Sequence, residues 1–511
     1  VSEALPGLPP PPPPAAVRDA AAVVLHRRGP GGTEVFWLKR DRALSFAGGF
    51  YAFPGGRLDP EDAAVPVDGV SGAEAAVYVT AARELFEETG VLKARGAEVL
   101  PQLELDELRR ALLSQRLSFS ELLAQRGFTL HAADFISAGR WVTPPYLPVR
   151  FDARFFLVEA PPHHEAVVWP GELSWGGWTT PADALARWTQ GTALLHPPNL
   201  HALQVLGRVS SPADAVAALR APPHCEAFIG QRLEFQRGVL LFPLVTPTLP
   251  PATHTNAYVL GTGECVVVDP GAPEDAEADR LVRFLRELAP EGYRPKAVVL
   301  THHHGDHVGG AARVASALGV PVWAHRHTAD RVEVPVARLL EDGEVLALDG
   351  PLPMRWRVLH TPGHTRGHVT LVDEATTAAV VGDMVAGVGT IVIDPPEGDM
   401  AEYLAQLRRL AALGVTTLYP AHGPAIADGV AKLEEYLAHR AWREAKVLEA
   451  VASFGRPALL DEVVPRAYDD VASFVLPIAE RSTLAILGKL EREGRVSAGG
   501  GGWRMAEPGA R

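Results

Sequence analysis

Short apolar runs that stop at Pro or Gly turns alternate along this chain with longer stretches of helical periodicity, and the two patterns divide it. Residues 21–25 (Ala-Ala-Val-Val-Leu) and 34–38 (Glu-Val-Phe-Trp-Leu) read as strands separated by Gly31 and Gly32. A helix through 81–90 follows, with further helical patterns at 103–127 and 181–190. A second series begins near Val239, in which 265–268, 297–300, 355–359, 378–381 and 416–419 each run as a strand into a turn. Residues 431–453, 459–468 and 479–493 are helical in period, and 495–498 and 503–505 flank a four-glycine turn. Helix, helix, hairpin is the order of a winged-helix module. The pattern predicts a multidomain protein of α/β and α+β class. Its expected parts are a proline-rich flexible tail at 1–16, a domain at 17–222, a linker at 223–238, a domain at 239–432 and a winged-helix-like domain at 433–507. Pro9 to Pro14 exclude helix and central strand from the tail, and Pro222-Pro223 marks the first boundary.

At 511 residues the chain exceeds one hydrophobic core, and 47 % apolar with 21 % charged residues is globular composition. A net charge of −13 gives no overall basic field for nucleic acid or anionic membrane. From 433 to 511, 11 Lys and Arg oppose 12 Asp and Glu, so the last module lacks the charge of a strong nucleic-acid binder. Two cysteines, Cys225 and Cys265, are too few for a disulfide framework, and Cys265 reads as a core residue. With no spanning apolar stretch or signal-like start, the expected location is cytoplasmic, away from membranes.

The candidate chemistry gathers in two places. After the apolar run 297–300 come Thr301-His302-His303-His304-Gly305-Asp306-His307, which would emerge at the carboxyl end of a buried strand, where α/β sheets place ligands. Imidazole and carboxylate suit a borderline divalent ion such as zinc. Three later strand ends each present one more such group: His364, Asp383 and His422. In the first domain Glu84, Glu87 and Glu88 stand at i, i+3 and i+4, which sets three carboxylates on one helix face, a place for a hard cation with a bound phosphate.

The second set resembles the metallo-β-lactamase superfamily, whose fold is a four-layered αβ/βα sandwich. The resemblance implies a dinuclear site for two Zn2+ or other divalent transition metals: His302, His304 and His364 on the first, Asp306, His307 and His422 on the second, and Asp383 between them. Asp306 is expected to take part in catalysis; His368 is expected either to reach substrate or leaving group or to pack against the loop. Asp269 resembles the superfamily's first motif, in which the aspartate orients a ligand loop without binding metal. His325 and His327 are expected at the surface, as are His163, His164 and His224.

The first set resembles the Nudix box, G-x5-E-x7-R-E-U-x-E-E-x-G-U with U apolar, and hence an α/β/α sandwich. It implies Glu84, Glu87 and Glu88 as catalytic ligands of Mg2+ or Mn2+, with Gly55, Gly56 and Arg83 binding the cofactor-bearing substrate. Asp62 stands where the pattern has Glu, and residues 63 to 82 exceed the family spacing by 13, which a surface loop before the helix would absorb. Trp37-Leu38-Lys39-Arg40, Phe53-Pro54-Gly55-Gly56 and Arg150 to Phe156 are similar to Nudix hydrolases of the coenzyme A diphosphatase type.

From Thr255 to about Val496 the chain is similar to the β-lactamase-like protein 2 family of endoribonucleases, on Thr361-Pro362-Gly363-His364-Thr365, Gly382-Asp383-Met384 and Tyr419-Pro420-Ala421-His422-Gly423-Pro424. Thr301-His302-His303-His304 is equally typical of hydroxyacylglutathione hydrolases, which are thioesterases. The expectation is a bifunctional hydrolase: a diphosphatase acting on a small nucleoside diphosphate derivative, and a phosphodiesterase for which single-stranded RNA is the leading partner. Thioester hydrolysis is the alternative for the second, a non-catalytic ligand-binding regulator the alternative for the first, and a homodimer remains open. If RNA is the substrate, Arg481, Lys489, Arg492, Arg495 and Arg504 are the residues expected to touch phosphate.

Overall fold

The computed structural model of the chain describes residues 15–44, 47–145, 147, 149–222 and 232–506. The polyproline run, His224 and Cys225 lie outside the described residues. The chain forms two compact units that divide at Arg237 and Gly238. Of the segment expected as a linker, Leu233–Gln236 is a strand. Its carbonyls at Glu234 and Phe235 accept from Trp188 Nε1 and the Leu195 amide, which ties it to the first unit.

In the first unit the long strand Val17–Gly29 is central. It pairs parallel with Arg150–Glu159 and antiparallel with Gly32–Arg40 and Gly55–Arg57. Alternation assigns the two faces. Val23, Leu25, Phe36, Phe156 and Val158 pack with Val79, Leu85, Phe86 and Leu105 of the helices Ala73–Thr89 and Gln102–Leu113. Val24, Val35, Trp37, Phe155 and Leu157 pack with Trp188, Leu203 and Ala215 on the helices Pro181–Thr189, Pro197–Leu206 and Pro212–Leu219. Apolar residues on both faces of one sheet produce the α/β/α sandwich.

Helix Ala73–Thr89 stops at Gly90, which adopts φ 79° and donates its amide to the Phe86 carbonyl. Buried Arg109 completes that end: Nε donates to the Glu87 carbonyl at 2.9 Å and Nη1 to the Val167 carbonyl at 2.8 Å, with the guanidinium over Trp169. A cation at a helix carboxyl end also meets the dipole favourably. Arg109→Met is expected to lower the stability of the first unit by about 2–3 kcal/mol, read as a lower urea midpoint; a change within error would remove this capping role.

The second unit holds two facing sheets. Val239–Val245, His254–Gly261 and Glu264–Val268 run antiparallel, and Arg294–Leu300, Val322–His325 and Val336–Leu340 continue the sheet in parallel. Val345–Leu348, Met354–His360, Val369–Asp373, Ala379–Gly382 and Leu418–Pro420 form the other. Helices Asp275–Leu288 and Ala311–Leu318 pack on the first sheet. Met400–Ala412 and Gly429–Ala452 cover the second through Tyr403, Leu407, Leu433 and Tyr436, which meet Leu359, Val372, Ala379 and Val381.

The same core continues to Val463, Leu487, Leu490 and Val496 of the helices Leu460–Ala467 and Leu476–Arg492 and the hairpin Val496–Gly499 with Gly502–Met505. Helix Gly429–Ala452 therefore crosses the expected boundary at 432, and cutting there would open the core of the second sheet. Among the described residues no helix is long and apolar enough to cross a membrane. Cys265 is fully buried, and burial pushes its thiol up to about 12.

Candidate metal centre and glutamate helix

Strand Arg294–Leu300 lies inside its sheet, so the histidine loop leaves from the sheet's carboxyl edge. Asp269, at the end of the neighbouring strand, holds that loop. Its carboxylate accepts from the Thr301 amide at 2.7 Å, the Thr301 hydroxyl at 2.5 Å and His307 Nδ1 at 2.9 Å. Gly271 makes the approach feasible, because a Cβ there would stand 1.7 Å from the Asp306 carbonyl oxygen. Across from the loop, His364 follows strand Met354–His360, Asp383 follows Ala379–Gly382 and His422 follows Leu418–Pro420.

The seven side chains meet in two groups. His302, His304, His364 and Asp383 each bring one donor atom within 4.8 Å of the others, as do Asp306, His307 and His422. Nε2 of His302 and of His364 both lie 3.0 Å from His304 Nδ1. Asp383 faces both groups: Oδ2 is 3.4 Å from His364 Nε2, while Oδ1 is 3.4 Å from His422 Nε2 and 3.6 Å from His307 Nε2. Asp306 Oδ2 is 3.5 Å from His422 Nε2.

The outer nitrogens are occupied. His364 Nδ1 donates to the Val392 carbonyl at 2.8 Å, His422 Nδ1 to the His254 carbonyl at 3.0 Å, and His302 Nδ1 meets the Thr301 hydroxyl at 3.0 Å. Such contacts fix ring and tautomer, leaving the opposite nitrogen for the centre. Buried His307 Nε2 and Asp383 Oδ1 have no hydrogen-bond partner among the described residues, a costly state that a cation between them relieves. Nitrogen and carboxylate donors of this number fit divalent transition ions.

Burial holds His302, His304 and His364 below the usual imidazole range, so these rings are neutral lone-pair donors. Burial opposes charge on His307 as well, but Asp383, Asp306 and Asp269 outweigh it and push the ring up to about 10. Against burial, His422, His307 and His364 hold the Asp383 carboxyl well below the usual range.

Of the two readings of His368, the structure shows the packing one: the ring is fully buried, its Nδ1 meets the Thr361 hydroxyl at 2.9 Å, and its Nε2 accepts from the Asp383 amide at 3.0 Å, which ties it to the turn that carries Asp383. His325 is also buried, stacked on His360 with ring centroids 4.1 Å apart, and His164 is buried with Nε2 donating to the Ala97 carbonyl.

In the first unit, the helix carrying Glu84, Glu87 and Glu88 begins at Ala73, so part of the extra sequence lengthens the helix instead of forming a loop. The remainder holds the single turn Pro60–Ala64 and the short strand Val67–Asp68, paired with Leu130–His131. Asp62 is buried and grips Arg83 with both oxygens, 2.9 Å from Nε and 3.0 Å from Nη2. Arg83 Nη1 then donates to Glu84 at 3.0 Å and Glu87 at 2.9 Å. The Gly55 amide donates to Glu88 Oε2 at 2.8 Å, and Gly56 lies so close to Glu84 that a Cβ would stand 2.3 Å from Oε1. Burial raises all three glutamates, Glu84 to about 7 and Glu88 to about 8, the latter also through repulsion by Glu84. Such carboxylates favour a proton or a metal cation as partner. Among the described residues they do not close on one point as the histidines do.

Comparison with known proteins agrees with this division. Residues 17–192 match the NUDIX domain, 250–422 the metallo-beta-lactamase superfamily, and 460–503 the beta-lactamase associated winged helix domain. The chain is 31 % identical over 247 residues to a beta-lactamase-like protein 2 homolog of Caenorhabditis elegans, covering 47 % of this chain and 80 % of the relative. It is 33 % identical over 202 residues to an atrochrysone carboxyl ACP thioesterase of Aspergillus terreus, covering 39 % of this chain and 58 % of that protein. A NUDIX hydrolase structure from Alicyclobacillus acidocaldarius is similar at 32 % identity and a TM-score of 0.35, covering 41 % of this chain and 99 % of its own. Both families are hydrolases that bind divalent metals. The chain belongs to the metallo-β-lactamase superfamily, in the family of β-lactamase-like protein 2, and carries a NUDIX domain and a winged-helix domain in the same polypeptide.

Proposed function

We propose that the second unit is a hydrolase whose catalytic centre is a pair of divalent transition ions, with His302, His304 and His364 on one side, Asp306, His307 and His422 on the other, and Asp383 shared. The convergence of these seven side chains from four strand ends, with Asp383 facing both groups, carries the reading. Bound ions of this kind polarise the scissile bond and lower the pKa of water at the site. The protein's own part is to hold the rings of His302, His307, His364 and His422 by their outer nitrogens and to keep the centre buried.

For the substrate, the cations of the winged-helix domain support one choice over the other. Arg481 pairs with Asp394, Lys489 with Glu444 at 2.7 Å, Arg492 with Asp399 at 2.6 Å, and Arg495 with Glu444 at 2.6 Å. Of the five residues expected on phosphate, these four already have carboxylate partners. A polyanion would displace those partners, so the arrangement favours a compact thioester over single-stranded RNA. The identity to a protein described as an ACP thioesterase supports the same choice. Rates on acyl-coenzyme A and acyl-glutathione esters, single-stranded RNA and bis-p-nitrophenyl phosphate test it. Metal-dependent thioester turnover above the other rates is expected, and steeply salt-dependent RNA cleavage without thioester turnover would reverse the choice.

For the first unit we propose magnesium- or manganese-dependent hydrolysis of a nucleoside diphosphate derivative, on Glu84, Glu87 and Glu88 with Gly55, Gly56 and Arg83. The grip of Asp62 on Arg83 supports catalysis over mere ligand binding, since the shortened side chain still anchors the box. Glu88→Gln is expected to slow diphosphate hydrolysis about 10²-fold while thioester turnover stays at the wild-type rate. If wild-type protein cleaves no nucleoside diphosphate derivative, coenzyme A included, the regulator reading replaces this one.

A further inference from the structure

The segment 384–399, between Asp383 and the start of helix Met400–Ala412, lies between the metal centre and the C-terminal helices. On the side of the centre, the Val392 carbonyl accepts from His364 Nδ1, and the Gly387 amide donates to the His422 carbonyl at 2.7 Å. On the other side residues 386–394 are held by side chains from beyond residue 428. Tyr436 Oη accepts from the Ala386 amide at 2.9 Å. Arg440 Nη2 donates to the Ile391 carbonyl and to Thr390 Oγ1. Ser482 Oγ accepts from the Ile393 amide at 3.3 Å, and Arg481 pairs with Asp394. Arg440 and Ser482 are 4 % and 6 % exposed. They grip the residues directly before and after Val392, whose carbonyl sets the ring of His364.

We propose that Arg440 and Ser482 are positioning residues of the metal centre: by fixing 390–393 they aim the Val392 carbonyl, and through it His364 Nε2, at the ion-binding position. The winged-helix domain thereby serves the hydrolytic site as its outer wall. This rests on the metal reading of the seven-residue group given above. A carbonyl that fixes a ligand ring contributes to affinity through the ring's orientation and basicity, and loss of such partners costs about 10–100-fold in metal affinity.

The test needs a control of equal burial. Arg443 provides it: it is 3 % exposed in the same helix, and its hydrogen bonds go to Asp470 at 2.7 and 2.9 Å and to the Ala467 carbonyl, away from the grip on 390–393. Full-length wild type, Arg440→Met, Ser482→Ala and Arg443→Met are titrated with Zn2+ against a chromophoric chelator, and with Co2+ to record the d–d spectrum. Unfolding is followed in parallel. Arg440→Met is expected to weaken one of the two Zn2+ sites by about 10-fold or more and to alter the Co2+ bands, and Ser482→Ala to do so to a smaller degree. Arg443→Met is expected to lose stability while both affinities and the spectrum stay at wild type. Equal metal binding by Arg440→Met and Arg443→Met, whether changed or unchanged, would overturn the positioning role. Wild-type protein that takes up no Zn2+ or Co2+ would overturn the metal reading itself, and the brace as a device for metal with it.

Discussion

Asp383→Ala is expected to abolish metal uptake at both positions and to slow the second unit's hydrolysis by about 10⁴-fold, roughly 5 kcal/mol of transition-state stabilisation. The reason is its double reach. One oxygen faces His364 and the other faces His422 and His307, so its removal opens both donor groups. Its loss also leaves His307 facing Asp306 alone across the centre, at 3.9 Å. Diphosphate hydrolysis in the same preparation serves as the internal control, because Glu84, Glu87 and Glu88 belong to a separate unit. Metal content and both rates are measured together. A variant that keeps two ions per chain would contradict the bridging position of Asp383.

Arg83→Leu is expected to destabilise the first unit by about 3–5 kcal/mol, the cost of breaking a buried pair from one side. Asp62 is 2 % exposed and accepts from Arg83, from Thr80 Oγ1 at 2.8 Å and from the Asp59 amide at 3.0 Å. Without the guanidinium its charge is buried among neutral donors, and Glu84 and Glu87 lose their common cation. Arg83→Lys restores a charge without the planar fork and is expected to recover only part of the loss. Amide exchange along helix Ala73–Thr89 isolates this unit's unfolding from the other's. Protection unchanged in Arg83→Leu would show that Asp62 is held well enough by Thr80 and the Asp59 amide.

The second unit was the more legible in sequence because its seven donors stand in the turns and the short helix that follow four strands, and a strand that ends at a Gly or Pro turn has little freedom in where it delivers the next side chains. For His368 two readings stayed open because spacing in a loop does not tell which way a ring faces. Its nitrogens are taken by Thr361 and the Asp383 amide, the latter 15 residues on. The extra residues before Glu84 read as a surface loop, yet 73–82 continue the helix, and Asp62 still meets Arg83 across 21 positions. Least visible was the role of the C-terminal helices. Arg481 and Asp394 are 87 residues apart and Lys489 and Glu444 are 45 apart, so spacing along the chain does not show that these cations pair with its own carboxylates. Tyr436, Arg440 and Ser482 carried no motif at all; only their hydrogen bonds to Ala386, Ile391 and Ile393 bring them to the segment that follows Asp383.

The central claim is that the seven converging residues hold two ions on which hydrolysis depends. It is tested most directly by elemental analysis of purified full-length protein, before and after chelation, alongside its hydrolytic rate as Zn2+ is added back. Close to two transition-metal ions per chain are expected, with loss of thioester or phosphodiester turnover on chelation and recovery that is complete only as the second ion binds. Full turnover by protein stripped of metal would contradict the claim.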